Sequence, residues 1–248
     1  MGNAPVINMS FYSETPGADE DTVQRYYNWS VEVYQPMMMK VNGVTGIDRY
    51  ILVRKSPDYP LNGVISHFKS IVDWGNSLKS PERTAIGEDL NSWVKRGVRE
   101  GIWSAAYELV QNFRAGTASQ GGKKDTKIEN APVMHLEAYR MPNEEQEKYN
   151  KWFNEYGSRV FIPLFMKTCG LKGYDYLKYS GFGPVNQARE TEYPQYLSVL
   201  YFEDVKAFEH FQESPEQVSF QSALRNVFPF GLNYKWYVQY QLVKSWRK

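Results

Sequence analysis

The chain repeats itself over most of its length, and a repeat of domain size limits the fold more than any other feature. Tyr59-Pro60 returns as Tyr193-Pro194, and Ser80-Pro81-Glu82 returns at the same spacing as Ser214-Pro215-Glu216. Trp103, Tyr107, Leu109-Val110 and Phe113 are answered by Trp236, Tyr240, Leu242-Val243 and Trp246. Pro5-Val6 matches Pro132-Val133, and Trp29 to Pro36 matches Trp152 to Pro163. Solenoid units run about 20–50 residues, so a repeat this long marks whole domains. The chain of 248 residues has room for two domains of roughly 110 residues. The expected division is 1–114 and 131–248, with a linker at 115–130 whose Gly, Ser and Lys residues show no apolar periodicity.

Each copy reads as the same order of elements. In the second, Val133–Tyr139 alternates as a strand. Asn143 is expected to cap a helix, with Gln146 in the capping-box position. Tyr149, Trp152, Phe153, Tyr156 and Val160 form its helical stripe, and Gly170 to Gly173 ends it. Two strands follow, Tyr174–Tyr179 and Tyr196–Phe202, separated by a loop at Gly181–Tyr193. A helix carrying Val205, Phe208 and Phe211, a second helix opened by Ser214-Pro215, and a last strand at Tyr234–Trp246 complete the copy. The first copy gives strands near Val6–Tyr12, Val44–Arg54, Gly63–Lys69 and Gly101–Phe113, and a helix at Ile71–Trp93 that breaks at Ser80-Pro81.

The expected class is α+β: two tandem ferredoxin-like βαββαβ domains. Helices cover one face of such a sheet. The bare faces are therefore expected to pack sheet to sheet as an intrachain pseudo-dimeric barrel around a lumen.

The stretch from Trp29 through Tyr34, Pro36, Met37-Met38-Met39 and Gly43 to Arg49-Tyr50 resembles the EthD-like branch of the dimeric α+β barrel superfamily. The segment Leu197–Phe208 followed by Ser214-Pro215 resembles the third-strand region of the same branch. The resemblance implies an α+β barrel that handles small molecules. Its members include cofactor-independent oxygenases, isomerases, haem-using enzymes and stress-responsive proteins. Many EthD-like sequences place histidine two residues before the proline; here Tyr34 and Phe161 stand there.

Candidate site residues come from strand alternation. His135, Glu137 and Tyr139 share one face of their strand, and Met134, Leu136 and Ala138 share the other. Assigning the apolar set to the helices turns the polar row toward the lumen. There His135 could move a proton, Glu137 fix its tautomer and Tyr139 orient a ligand. The same row also reads as a satisfied hydrogen-bond network. The matching row in the first copy is Asn8, Ser10 and Tyr12. His67 and Tyr201 are expected on the lumen face if Phe68 and Phe202 pack under the helices. Arg49 suits an anionic ligand or a surface pair with Asp48, Tyr34 replaces the family histidine, and His210 reads as a surface residue.

Composition narrows the classes. Lys+Arg 29 against Asp+Glu 28 gives net charge +1, and the one dense basic pair, Lys123-Lys124, falls in the expected linker, so no nucleic-acid partner is expected. No apolar run is long enough to span a membrane. A single cysteine excludes an internal disulfide and fits a cytoplasmic location. No zinc, phosphate-loop or nucleophile-elbow motif is present, and no cofactor is expected. With 19 Tyr and 7 Trp, the rings either fill two cores or line a cavity for a small apolar or aromatic partner. Three readings stand together: a cofactor-free oxygenase or isomerase acting on an aromatic or polyketide-like molecule, a non-catalytic binding or stress-related barrel, and a haem binder. Further homo-oligomerisation is compatible with each.

Overall fold

The computed structural model describes residues 5–54, 56–115, 132–181, 193–227 and 233–248. The expected linker lies outside them except for Ala115, as does the loop at Gly181–Tyr193 except for its ends. The first half of the chain carries β1 (Val6–Glu14), α1 (Glu20–Trp29), α2 (Gln35–Lys40), β2 (Val44–Leu52), β3 (Asn62–Phe68), α3 (Ile71–Ser77), α4 (Pro81–Lys95) and β4 (Arg99–Arg114). The second half carries β5 (Val133–Arg140), α5 (Asn143–Trp152), α6 (Ile162–Phe165), β6 (Leu171–Tyr179), β7 (Tyr196–Phe202), α7 (Val205–Gln212), α8 (Pro215–Val227) and β8 (Asn233–Arg247). The class is α+β, and each half has the ferredoxin-like order.

The chain forms two compact units. The first takes the described residues of Met1–Glu108 and Tyr179–Tyr193, together with Gln241–Lys248. The second takes those of Leu109–Lys178 and Pro194–Tyr240. Strands β4 and β8 therefore each begin in one unit and end in the other. Within the first unit the strand order is β4-β1-β3-β2-β8, and within the second it is β8-β5-β7-β6-β4. The registers agree position by position. Val6 pairs with Phe68 and Tyr12 with Asn62, while Val133 pairs with Phe202 and Tyr139 with Tyr196. A bulge interrupts β2 between Val44 and Gly46, and β6 between Leu171 and Gly173.

Each first helix is interrupted in the same way. A π-helical stretch, Ser30–Tyr34 or Phe153–Phe161, separates α1 from α2 and α5 from α6. Pro36 and Pro163 follow these stretches. Proline has no N–H to donate and its ring crowds the preceding turn, so the regular ladder has to open there. Helix α5 starts with Pro142 in the capping position and no side-chain cap, so the expected Asn143 cap is displaced by one residue. Ser80 and Ser214 do cap α4 and α8, accepting from the amides of Arg83 and Gln217. The helical segments stop at Gly43 (φ 86°) and Gly170 (φ 82°). A Cβ on Gly170 would lie 2.3 Å from the Ala207 Cβ, so only glycine fits there.

Helices and sheet meet in apolar cores: Val6, Val44, Ile47, Phe68 and Trp74 in the first unit, and Leu171, Phe202, Phe208 and Phe211 in the second. The sheet face turned away from the helices is buried as well, through Ile7, Met9 and Phe11, and through Met134, Leu136 and Ala138. Two acids lie on that face. Asp48 of β2 accepts from His67 Nε2 at 2.7 Å, Ser245 Oγ at 2.5 Å and Arg247 Nη2 at 2.5 Å. Asp175 of β6 accepts from Arg114 Nη1 at 2.6 Å and Tyr201 Oη at 3.2 Å. Both acids are buried, and both arginines come from the ends of the long strands.

Burial opposes ionisation of Asp48. The bond from His67, the charges of His67 and Arg247 and the bond from Ser245 outweigh it and hold the carboxyl below its usual range. The stability this carboxylate contributes is complete above the unfolded carboxyl value of about 4, and is lost as pH falls through the lower folded value. Urea midpoints measured between about pH 5 and about pH 2.5 should therefore fall less steeply for Asp48→Asn than for the parent. Parallel slopes would show that Asp48 makes no such contribution.

Candidate functional site

Tyrosine hydroxyls and one acid–imidazole pair set the chemistry of the second unit. On β5, His135, Glu137 and Tyr139 point toward the helices. Tyr139 and Val133 belong to the helix-side core, and the His135 ring packs 4.7 Å from Phe208 of α7. The expectation that this row faces away from the helices is thus reversed. The alternation separates the two sets correctly, but both sheet faces are buried, so hydrophobicity cannot tell which set meets the helices. The polar row is tolerated there because α5, β7 and α8 bring polar partners to it.

Those partners form a chain of hydroxyls. Tyr139 Oη lies 2.7 Å from Tyr149 Oη and 3.5 Å from Ser198 Oγ, which is 2.8 Å from Tyr174 Oη. Burial pushes the Tyr139 and Tyr149 hydroxyls well above their usual value. They remain neutral donors across physiological pH and cannot serve as bases.

Glu137 is the ionisable group beside them. A cavity of about 20 Å³ is lined by Glu137, Tyr139, Tyr149, Tyr174, Ser198 and Gln217, among others. That volume suits a single water. His135 Nε2 is 3.4 Å from Glu137 Oε1, close enough for charge interaction, although the ring N–H does not align for a hydrogen bond. On the other side of the ring the Gln239 amide nitrogen donates to Nδ1 at 3.4 Å. With the amide in that orientation Nε2 carries the proton, on the side of the ring nearer Glu137. The imidazole is 1% exposed, and the Tyr237 ring meets it edge-on at 4.4 Å.

Tyr237 and Gln217 also line an open groove of about 670 Å³, with Gln212, Val218, Gln221 and Arg225. Gln217 is 7% exposed and borders both spaces, and its Oε1 has no hydrogen-bond partner. It is the side chain between the groove and the inner cavity.

The other expected site residues lie elsewhere. His67 and Tyr201 are on the sheet face away from the helices, each bonded to its buried aspartate. Tyr12, Tyr34 and Arg49 belong to the helix side of the first unit. Tyr34 packs 5.3 Å from Trp29, and the Arg49 guanidinium lies over the Tyr27 ring at 4.7 Å. Arg49 cannot pair with Asp48, because neighbours on a strand point to opposite faces. In the row of the first unit, Asn8 bonds to Ser10 and Ser104 and accepts from Trp74, a satisfied network. His210 is exposed.

Sequence reasoning missed Ser198, Gln217, Gln239 and the two aspartate–arginine pairs. For the pairs a signal was present. Gly46-Ile47-Asp48 and Gly173-Tyr174-Asp175 repeat, as do Phe113-Arg114 and Trp246-Arg247.

Haem ligation by histidine would need an imidazole open to a large cavity. Among the described residues His135 is packed between rings, His67 is bonded to Asp48, and the 670 Å³ groove has no histidine. These histidines do not fit as haem ligands.

No family model and no curated protein matches this chain. Solved structures do. An anthrone oxidase-like protein aligns over 99% of this chain and 94% of its own, with TM-score 0.68 and 11% identity. A candidate monooxygenase from Fusobacterium nucleatum subsp. nucleatum covers 100% and 96%, with TM-score 0.64 and 11% identity. A chlorite dismutase variant from Candidatus Nitrospira defluvii covers 98% and 93%, with TM-score 0.56 and 8% identity. At these identities the likeness is one of fold. No described helix is long and apolar enough to cross a membrane.

Replacing Tyr139 with Phe removes the hydroxyl that joins Tyr149 to Ser198. The expected loss is about 1–2 kcal/mol in urea unfolding. An unchanged midpoint would mean that the hydroxyl chain contributes nothing to stability.

Proposed function

We propose that this chain is a tandem, fused member of the EthD-like branch, with halves at 1–114 and 131–248, and that its second unit handles a small aromatic or polyketide-like molecule in cofactor-independent oxygenase or isomerase chemistry. The observation that carries the reading is Glu137. It is a buried carboxylate on a cavity wall, with an imidazole 3.4 Å away and tyrosines that stay protonated facing it. The roles differ from those the sequence suggests. Glu137 takes the proton from an acidic C–H or O–H of the ligand, His135 packs beside Glu137 and limits where its carboxylate can sit, and Tyr139 and Tyr174 donate to the ligand's carbonyl or phenol oxygen. The ligand enters from the groove past Gln217. In an oxygenase the carbanion adds to dioxygen, and the resulting peroxide takes the proton back from Glu137 and loses water to leave a carbonyl; in an isomerase the carbanion takes the proton back at another position. The names of two fold neighbours, an anthrone oxidase-like protein and a candidate monooxygenase, support this at the level of the superfamily.

A second reading is a binding barrel without turnover. The inner cavity of about 20 Å³ favours it, because an aromatic ring enters only if Gln217 and its neighbours move.

Anthrone and dioxygen test both. The enzyme reading expects anthraquinone to form faster than in buffer, and Glu137→Gln to reduce the acceleration by about 10²-fold or more. Binding of anthrone by native mass spectrometry with no acceleration would favour the second reading. Neither binding nor acceleration with any phenolic or polycyclic ketone would remove both.

A further inference from the structure

We propose that the groove along α8 binds a hydroxyl-rich, sugar-like group carried by the ligand of the second unit. The inference rests on the reading above, in which the ligand reaches Glu137 through this groove. It adds the substrate class: an aromatic molecule with a polyhydroxylated substituent.

The groove encloses about 670 Å³, within the range of small-molecule sites. Helix α8 supplies most of its lining. Gln217, Gln221 and Arg225 recur at every fourth residue, each followed by a second lining residue, so they share one helix face. Gln212 of α7 and Tyr237 of β8 complete it, and the Gln212 amide donates to Tyr237 Oη at 3.3 Å.

This lining selects a chemistry. No carboxylate stands among the described lining residues, so a cation finds no partner. The one cation, Arg225, is exposed in the last turn of its helix. Gln212, Gln217, Gln221 and Asn226 bring carboxamides, each with a donor and an acceptor. An anion only accepts and leaves the amide oxygens unmatched. An apolar ring would desolvate them with no bond in return. Hydroxyls both donate and accept, and a row of them matches the row of amides.

Gln217 points to the same ligand independently. It is 7% exposed, and its Oε1 is buried with no hydrogen-bond partner. A ligand hydroxyl donates to that oxygen. If the amide is turned over, the buried end is an N–H, and the same hydroxyl accepts from it.

The fold does not require these residues. Counted from the capping serines Ser214 and Ser80, the places of Gln217, Gln221 and Arg225 hold Arg83, Gly87 and Asn91 in α4. The groove also adjoins the acid. Gln217 lines the cavity of Glu137, and the Tyr237 ring meets His135 edge-on at 4.4 Å. The aromatic part of the ligand passes Gln217, and the hydroxylated part stays in the groove.

Calorimetric titration of the full chain with phenol, phenyl phosphate and the phenyl glycosides of glucose, galactose and xylose tests the assignment. At least one glycoside should bind about tenfold or more tightly than phenol. Gln221→Leu should reduce that preference about fivefold or more. Asn226→Ala, at an exposed position, gives the same reading if Gln221→Leu does not fold. No glycoside tighter than phenol, or a preference that survives both substitutions, overturns the site. Phenyl phosphate binding tighter than every glycoside, and lost with Arg225→Gln, overturns the hydroxyl assignment. A glycoside preference without acceleration of anthrone oxidation supports the groove and removes the enzyme reading. Acceleration without a glycoside preference removes the groove assignment and keeps the enzyme reading.

Discussion

A buried aspartate gripped by an arginine at the end of a long strand completes the sheet of each unit. Asp48 and Asp175 sit next to a bulge, on the sheet face away from the helices, where an unpaired carboxylate could not be tolerated. Their arginines arrive on the last residues of β8 and β4. The first unit closes with Gln241–Lys248 and the second with residues from Leu109 onward, so neither is finished by its own stretch of sequence. Removing one partner of such a buried pair costs about 3–5 kcal/mol, a large share of the stability of an ordinary domain.

With the far sheet face filled by apolar side chains and these clamps, the polar chemistry is left to the helix side. The two units use that side differently. At corresponding places, the second has His135, Glu137 and Tyr139 with a small cavity, and the first has Asn8 and Ser10 in a satisfied network. The first unit instead carries Arg49, where the second has Tyr176. One fold thus presents an acid beside neutral tyrosines in one unit and arginines stacked on tyrosine rings in the other. Fold likeness to proteins of other activities does not distinguish these surfaces; their own side chains do.

Much of this was legible in the sequence. The element order, the break at Ser80-Pro81 and the glycine stops follow from local chemistry: a serine cap, a proline at the first helical position, a glycine at positive φ. Alternation also sorted β5 into its two sets. It failed to say which set meets the helices, because hydrophobicity points outward or inward only when one face is wet. Here Met134 and Tyr139 are both buried. The aspartate–arginine pairs join residues far apart in the chain, such as Asp48 and Arg247, and only a comparison of the two copies could suggest them. The role of Gln217 depends on how α8 packs over β5 and β7, which no local pattern encodes.

Hydrogen exchange on Arg247→Met and Arg114→Met tests the clamp most directly. The account predicts faster exchange in β2 and β3 for Arg247→Met with β6 and β7 unchanged, and the reverse for Arg114→Met. Equal loosening of both units by either substitution, or no change in either, would contradict it.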